Sequence, residues 1–105
     1  MLKFVAMWNL KEGISESVFE EWYRNRHIPD AKRIPGLRKY TVNRAARQVR
    51  GESRYYRMAE LSFDSFDAVQ RALPSPEWKK AFLDAQGYIA DHLRLQFESE
   101  EISLD

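Results

Sequence analysis

The chain has 105 residues, 44% of them hydrophobic and 13% aromatic, which suits a fold around one modest core and excludes a disordered polymer. Its 17 basic and 16 acidic residues leave a net charge of +1, so the molecule has no field for gripping nucleic acid or an anionic membrane. It contains no cysteine, which excludes disulfide frameworks, thiolate catalysis and cysteine-ligated metals.

The first segment, LKFVAMWN, places Leu2, Phe4, Ala6 and Trp8 on one face and Val5 and Met7 on the other. That pattern predicts a strand covered on both sides. KEG then turns the chain, and Ser15 or Ser17 can cap the helix that follows; Ser17 has Glu20 at capping-box spacing. Val18, Phe19, Trp22 and Tyr23 make one helical face. Pro29 disfavours helical geometry at Ile28, so the helix is predicted to end or kink near His27. A short helical piece through Ala31 and Ile34 follows, closed by the Pro35-Gly36 turn.

LRKYTVN alternates as a second strand, RAARQVRGESR reads as a solvated loop, and YYRMAELSF is a third strand. A second helix begins at DSFDAV, capped by Asp64 or Ser65, and restarts at PSPEW with Ser75 as cap and Pro76 at the first helical position. Leu93, Leu95 and Phe97 alternate in LRLQFES, a fourth strand. No linker or repeat interrupts the chain, so residues 1–105 are expected to form a single domain. Neither a secretory leader pattern nor an apolar run of roughly 18 residues is present, which points to a cytoplasmic location.

The order is β-α-β-β-α-β, the split-βαβ or ferredoxin-like arrangement of class α+β: one antiparallel four-stranded sheet with helices on one face. A single sheet leaves its second face bare. Apolar residues on both faces of the first and third strands therefore predict a partner, most simply a second copy in a homodimer through the exposed sheet face.

The motifs F-x-x-W-Y-x-x-x-H-x-P (Phe19, Trp22, Tyr23, His27, Pro29), I-P-G-L-x-x-Y (Ile34 to Tyr40), A-E-L-x-F (Ala59 to Phe63) and S-P-E-W (Ser75 to Trp78) resemble, in order, the EthD family of the dimeric α+β barrel superfamily. Methylmuconolactone isomerases are similar. The resemblance implies a ferredoxin-like protomer and a dimer in which two sheets face each other. Relatives in the superfamily include lactone isomerases, polyketide cyclases, cofactor-independent monooxygenases and haem-binding enzymes, so it does not select a reaction. Ser62 departs from the bulkier residue that relatives often carry within A-E-L-x-F.

His27 is the candidate catalytic residue. At a helix end a histidine can be held cationic by the last carbonyls, and it titrates near neutrality. Its functional reading is a general acid/base acting on a small organic molecule; the alternative is a helix cap without chemistry. Arg26 falls near the middle of the Phe19–Trp22–Tyr23 face, where it must snorkel, pair or meet an anionic ligand. Glu60, inside an apolar strand, needs a cationic partner or a proton; the alternative is a charge satisfied by a neighbouring strand.

Trp8, Tyr23, Tyr40 and Trp78 could wall an aromatic-binding cavity or simply be core. His92 reads as a surface histidine, and Arg44, Arg47, Arg50 and Arg54 as a solvated loop. No phosphate loop, nucleophile elbow or zinc spacing occurs, so no metal and no cofactor is expected, with haem ligation by His27 the weaker reading. Two functions follow. One is acid/base catalysis on a small cyclic or aromatic compound, as an isomerisation, cyclisation, dehydration or cofactor-free oxidation. The other is a non-catalytic binding or assembly module. A cavity of about 300 Å³ reaching His27 is the mark of the first, and a space plugged by Trp22, Tyr40 and Trp78 the mark of the second.

Overall fold

The computed structural model describes residues 1–51 and 55–105; Arg54 of the basic loop lies outside them. The elements are β1 (Leu2–Leu10), α1 (Glu16–Trp22), a π-helical turn (Tyr23–His27), α2 (Ile28–Ala31), β2 (Lys39–Arg44), β3 (Arg57–Phe63), α3 (Phe66–Ala72), α4 (Pro76–Ala85) and β4 (Ile89–Glu98). The strands form one antiparallel sheet in the order β2-β3-β1-β4, with the helices on a single face, as the split-βαβ pattern requires. No helix among the described residues is long and apolar enough to cross a membrane.

The register divides the side chains between two faces. Ala6 opposes Ala59 and Arg94, and Phe4 opposes Leu61 and Gln96, so these residues lie beneath the helices. Val5 opposes Glu60 and Leu95, and Met7 opposes Met58 and Leu93, so these occupy the outer face. The helix-side core centres on Phe19, Tyr23, Phe63 and Val69, all without measurable exposure. Each large side chain buried there is worth roughly 1.5–3 kcal/mol.

Caps form where short hydroxyl side chains precede helices. Ser15 Oγ accepts from Val18 N at 3.2 Å, Ser65 Oγ from Ala68 N at 3.1 Å and Ser75 Oγ from Trp78 N at 3.1 Å. The Ser17–Glu20 capping box therefore does not form; Glu20 turns instead to Arg57 on β3. Asp64, the other candidate cap of α3, is paired with Arg38. Val18, expected on the buried face of α1, is half exposed.

The helix does not stop at Pro29. Ile28 keeps helical angles (φ −59°, ψ −47°), and its N–H bonds the Tyr23 carbonyl five residues back. This widened turn inserts Pro29, which has no N–H to donate, into a helix that continues to Ala31. Widening also rotates the positions that follow. Arg26 is carried off the apolar face into solvent, while His27 stays over it.

After α2, Gly36 closes the turn at φ +81°, where an added Cβ would find ordinary contact with the Phe63 ring at 3.8 Å. Space is therefore available, and the obstacle is the left-handed backbone. Gly36→Ala is expected to lower stability by about 1–2 kcal/mol in urea unfolding. Gly87→Ala, where φ is not positive, should cost nothing comparable.

Candidate functional site

Between the helices and the sheet lies an apolar cavity of about 80 Å³, reached through an open mouth. The sheet contributes its floor from Phe4, Ala6, Trp8, Tyr40, Ala59 and Leu61, and the helices supply Trp22, Tyr23, His27 and Trp78. His27, Trp8, Tyr23, Tyr40 and Trp78, all singled out from the sequence, are thus brought together. Trp22, Tyr40 and Trp78 line the space rather than plugging it, although its volume is well below the 300 Å³ set out above. It is about half that of an apolar cavity of roughly 150 Å³ that admits benzene, so a ring seats there only with its far edge in the mouth.

Two predicted residues are elsewhere. Arg26 is exposed, because the π-helical turn moves it off the helix face that the sequence pattern assigned to it. Glu60 is on the outer face of the sheet, where Lys3 Nζ (3.4 Å) and Asn43 Nδ2 (3.1 Å) satisfy its carboxylate. It is the charge met by neighbouring strands, not a cavity acid. Ser62 is buried on that same outer face, so its departure from the family pattern does not shape the cavity.

Among the described residues, three buried polar atoms on the cavity wall lack a well-formed hydrogen bond: Trp8 Nε1, His27 Nδ1 and Tyr23 Oη, the last of which has the Tyr40 side chain beside it. The rings that carry them are neighbours. Tyr23 lies 5.7 Å from Trp8 and stacks on His27 at 5.3 Å and 14°. Trp22 flanks the imidazole at 5.0 Å and is itself stacked on Tyr88 at 4.1 Å. Leaving such groups unpaired costs about 1–3 kcal/mol each.

The imidazole is neutral. Burial pushes the pKa of His27 down to about 4, against a smaller opposing pull from Asp30 and Asp84. The cationic helix-end histidine expected from the sequence is therefore corrected: the helix continues, the last-turn carbonyls are not free, and desolvation wins. Burial also raises Tyr23 and Tyr40, so both stay protonated as donors.

Behind Tyr23 the Arg57 guanidinium sits 4.8 Å from the ring centroid and is almost wholly buried. It donates through Nε to Glu20 Oε2 at 3.0 Å and through Nη2 to Oε1 at 2.5 Å, while Tyr56 Oη donates to Oε2 at 2.9 Å. This fork fixes α1 to β3 and so fixes Tyr23 against the cavity. The sequence offers Glu20 only as a capping-box partner and gives no sign of its pairing with Arg57, since a separation of 37 positions carries no local signal. Arg94 and Phe82, which also line the cavity, were missed, and His92 is exposed as expected but stands at the mouth.

The EthD domain model matches residues 11–92. Among solved structures, an EthD family protein of Bacillus halodurans is similar at 31% identity, covering 95% of this chain and 99% of that one with a TM-score of 0.84. SnoaB, a cofactor-independent oxygenase of Streptomyces nogalater, matches at 16% identity over 99% and 97% of the two chains with a TM-score of 0.72. A dimeric ferredoxin-like protein of unknown function from Thermobifida fusca matches at 16% identity over 91% and 88%, TM-score 0.73. The last two likenesses are of fold.

Proposed function

The chain belongs to the EthD family, and from that premise we propose that its cavity binds a small cyclic or aromatic compound on which His27 acts as a base. The observation that carries this reading is the convergence, on one apolar space, of three buried polar atoms that have no well-formed hydrogen bond among the described residues. Folding tolerates such groups where a ligand meets them.

The chemistry suited to this set is proton abstraction beside a carbonyl. The C–H bond breaks, its proton passes to the neutral imidazole, and the electron pair moves to the carbonyl oxygen. The Trp8 N–H and the protonated Tyr23 hydroxyl are donors suited to that developing oxyanion. An imidazole with a pKa of about 4 is a weak base in the empty cavity. An oxyanion forming beside it stabilises the imidazolium and raises its basicity as the proton moves. This step begins isomerisations, cyclisations, dehydrations and cofactor-free oxidations alike; SnoaB, with which the chain shares its fold, is an oxygenase of the last kind.

The small cavity volume favours a second reading, a binding module without turnover. A thermal-shift screen of lactones and phenolic polyketides, followed by product analysis on each hit, separates the two. Hits that are converted by the wild type and not by a His27→Gln variant support catalysis. Hits that bind both proteins equally and return unchanged support the binding module.

We further propose a homodimer through the outer sheet face. Leu93, Leu95 and Phe97 are 39%, 40% and 47% exposed there beside Met7 and Met58, a continuous apolar strip that water covers in the single chain. Dimeric proteins of the same fold accord with this reading. Leu95→Glu is expected to convert a dimer into a monomer in sedimentation or light scattering while leaving the helix-side core intact. A wild type already monomeric at micromolar concentration rules the interface out.

A further inference from the structure

Arg94 differs from every other polar group on the cavity wall in being charged. It lies on the helix side of β4 opposite Ala6, whose small side chain leaves it room. Its guanidinium folds back over the Phe82 ring of α4, 4.5 Å from the centroid, instead of extending into solvent. Nη1 lies 3.2 Å from His92 Nδ1, and since arginine only donates, that nitrogen is the acceptor. Among the described residues no carboxylate pairs with Arg94; the ion-paired cations are Lys3, Arg38, Arg57 and Lys80. Half-burial lowers its pKa, a sign that its charge is poorly compensated by the described residues around it.

The backbone is bent to hold it there. Met7 pairs with Leu93 and Asn9 with Ala90, so β1 passes one residue, Trp8, while β4 passes two, Asp91 and His92. Asp91 takes up the extra residue at φ +52°, an uncommon conformation for anything but glycine. Such a bulge re-aims a strand. Here it keeps Ile89 and Arg94 both on the cavity side, although they are five positions apart.

The cavity therefore has two ends. Trp8, Tyr23 and His27 offer neutral polar atoms within, and Arg94 presents an uncompensated fork of donors beside the exposed Phe82 and His92 at the mouth. We propose that Arg94 recognises a carboxylate, so that the substrate class is a small ring compound bearing one carboxylate directed at the mouth. This rests on the ligand-cavity reading above and narrows it. A planar, bidentate partner is what the guanidinium geometry selects, and a carboxylate supplies both acceptors and the missing charge.

Benzoate and benzamide, alike in shape and different in charge, test it. Each is titrated into the full chain while the indole N–H resonance of Trp8 is followed by NMR. The wild type is expected to bind benzoate about tenfold more tightly than benzamide. Arg94→Gln should reduce that ratio to within about twofold by weakening benzoate alone, and Arg94→Lys should retain part of it. His27→Gln should keep the preference, which separates anion recognition from the base. Equal affinity in the wild type, or a preference that survives Arg94→Gln in a folded variant, overturns the proposal and leaves the ligand cavity standing. If neither probe moves the Trp8 resonance, cavity and proposal fall together.

Discussion

His27→Gln is expected to slow turnover of any substrate the screen identifies by about 10²–10⁴-fold, in kcat more than in KM. The glutamine retains a polar atom of similar reach but cannot carry a proton at neutral pH. Wild-type rate should be flat through neutrality and fall only as pH drops through about 4, where the imidazole of the empty site charges. A rate that falls instead near 6.5 would mean that the imidazole is hydrated and keeps its ordinary pKa, and a rate unchanged in His27→Gln would mean that another group performs the proton transfer.

The same variant makes a prediction independent of any substrate. In the folded protein His27 titrates at about 4, whereas in the unfolded chain it titrates near 6.5. Between those values the unfolded chain takes up a proton that the folded protein refuses. The His27 contribution is thus complete above pH 6.5 and lost progressively as pH falls to 4. The gap corresponds to about 3 kcal/mol. Glutamine has no such gap, so urea unfolding should show the wild type losing roughly 3 kcal/mol more than His27→Gln between pH 7 and pH 4. Parallel curves for the two proteins would show that His27 is not held neutral by burial.

Glu20→Ala is expected to destabilise the protein by about 3–5 kcal/mol, a fall in Tm on the order of 15 °C for a chain of this size. The Arg57 side chain is 3% exposed, and its only carboxylate partner among the described residues is Glu20. Removing that partner leaves the largely buried guanidinium beneath α1 without its carboxylate, open to water only from the part-exposed side that Glu20 occupied. It also strips the acceptor from Tyr56. The Arg57 hydrogen bonds hold the Glu20 carboxyl below its ordinary pKa, against a smaller opposing effect of burial. Its folded pKa is therefore depressed, and the stability it lends is present above the unfolded carboxylate range and lost as pH falls through the lowered value. Replacing both partners together, as Glu20→Leu with Arg57→Met, should cost far less than Glu20→Ala alone, because no unpaired charge remains. A double variant as unstable as the single one would show that α1 is positioned by the ion pair itself and not by the apolar packing around it.

Element identity was legible wherever one residue type acts on its own neighbours. Ser75-Pro76 starts α4 because a hydroxyl caps and a ring without N–H fits the first turn. The alternation of Leu93, Leu95 and Phe97 gives β4, because successive strand residues point to opposite faces. His27, Trp8, Tyr23, Tyr40 and Trp78 were recognisable as a set through apolar periodicity and the family motif, and the fold gathers them around one cavity.

The misplaced residues share a cause. Arg26 was assigned by an ordinary helical period, and a single i→i+5 hydrogen bond at Tyr23 changed that period. Pro29 was read as a stop because its local cost is known, while the packing of α2 against α4 that keeps the helix going is not a local quantity. The residues beside Glu60 in sequence do not show its partners, which lie on two other strands. Arg94 carries no signal in the sequence because its role depends on which face of β4 is roofed by helices.

By itself, the sequence determined the order of strands and helices, the lack of thiol chemistry and the presence of a histidine over an apolar sheet, since each follows from residue type and period. Only the tertiary structure decided the charge on that histidine, the gathering of three buried polar atoms around one apolar space and the company kept by Arg57 and Arg94. Those properties depend on solvent exclusion and on pairings across tens of residues, and neither exists until the layers close.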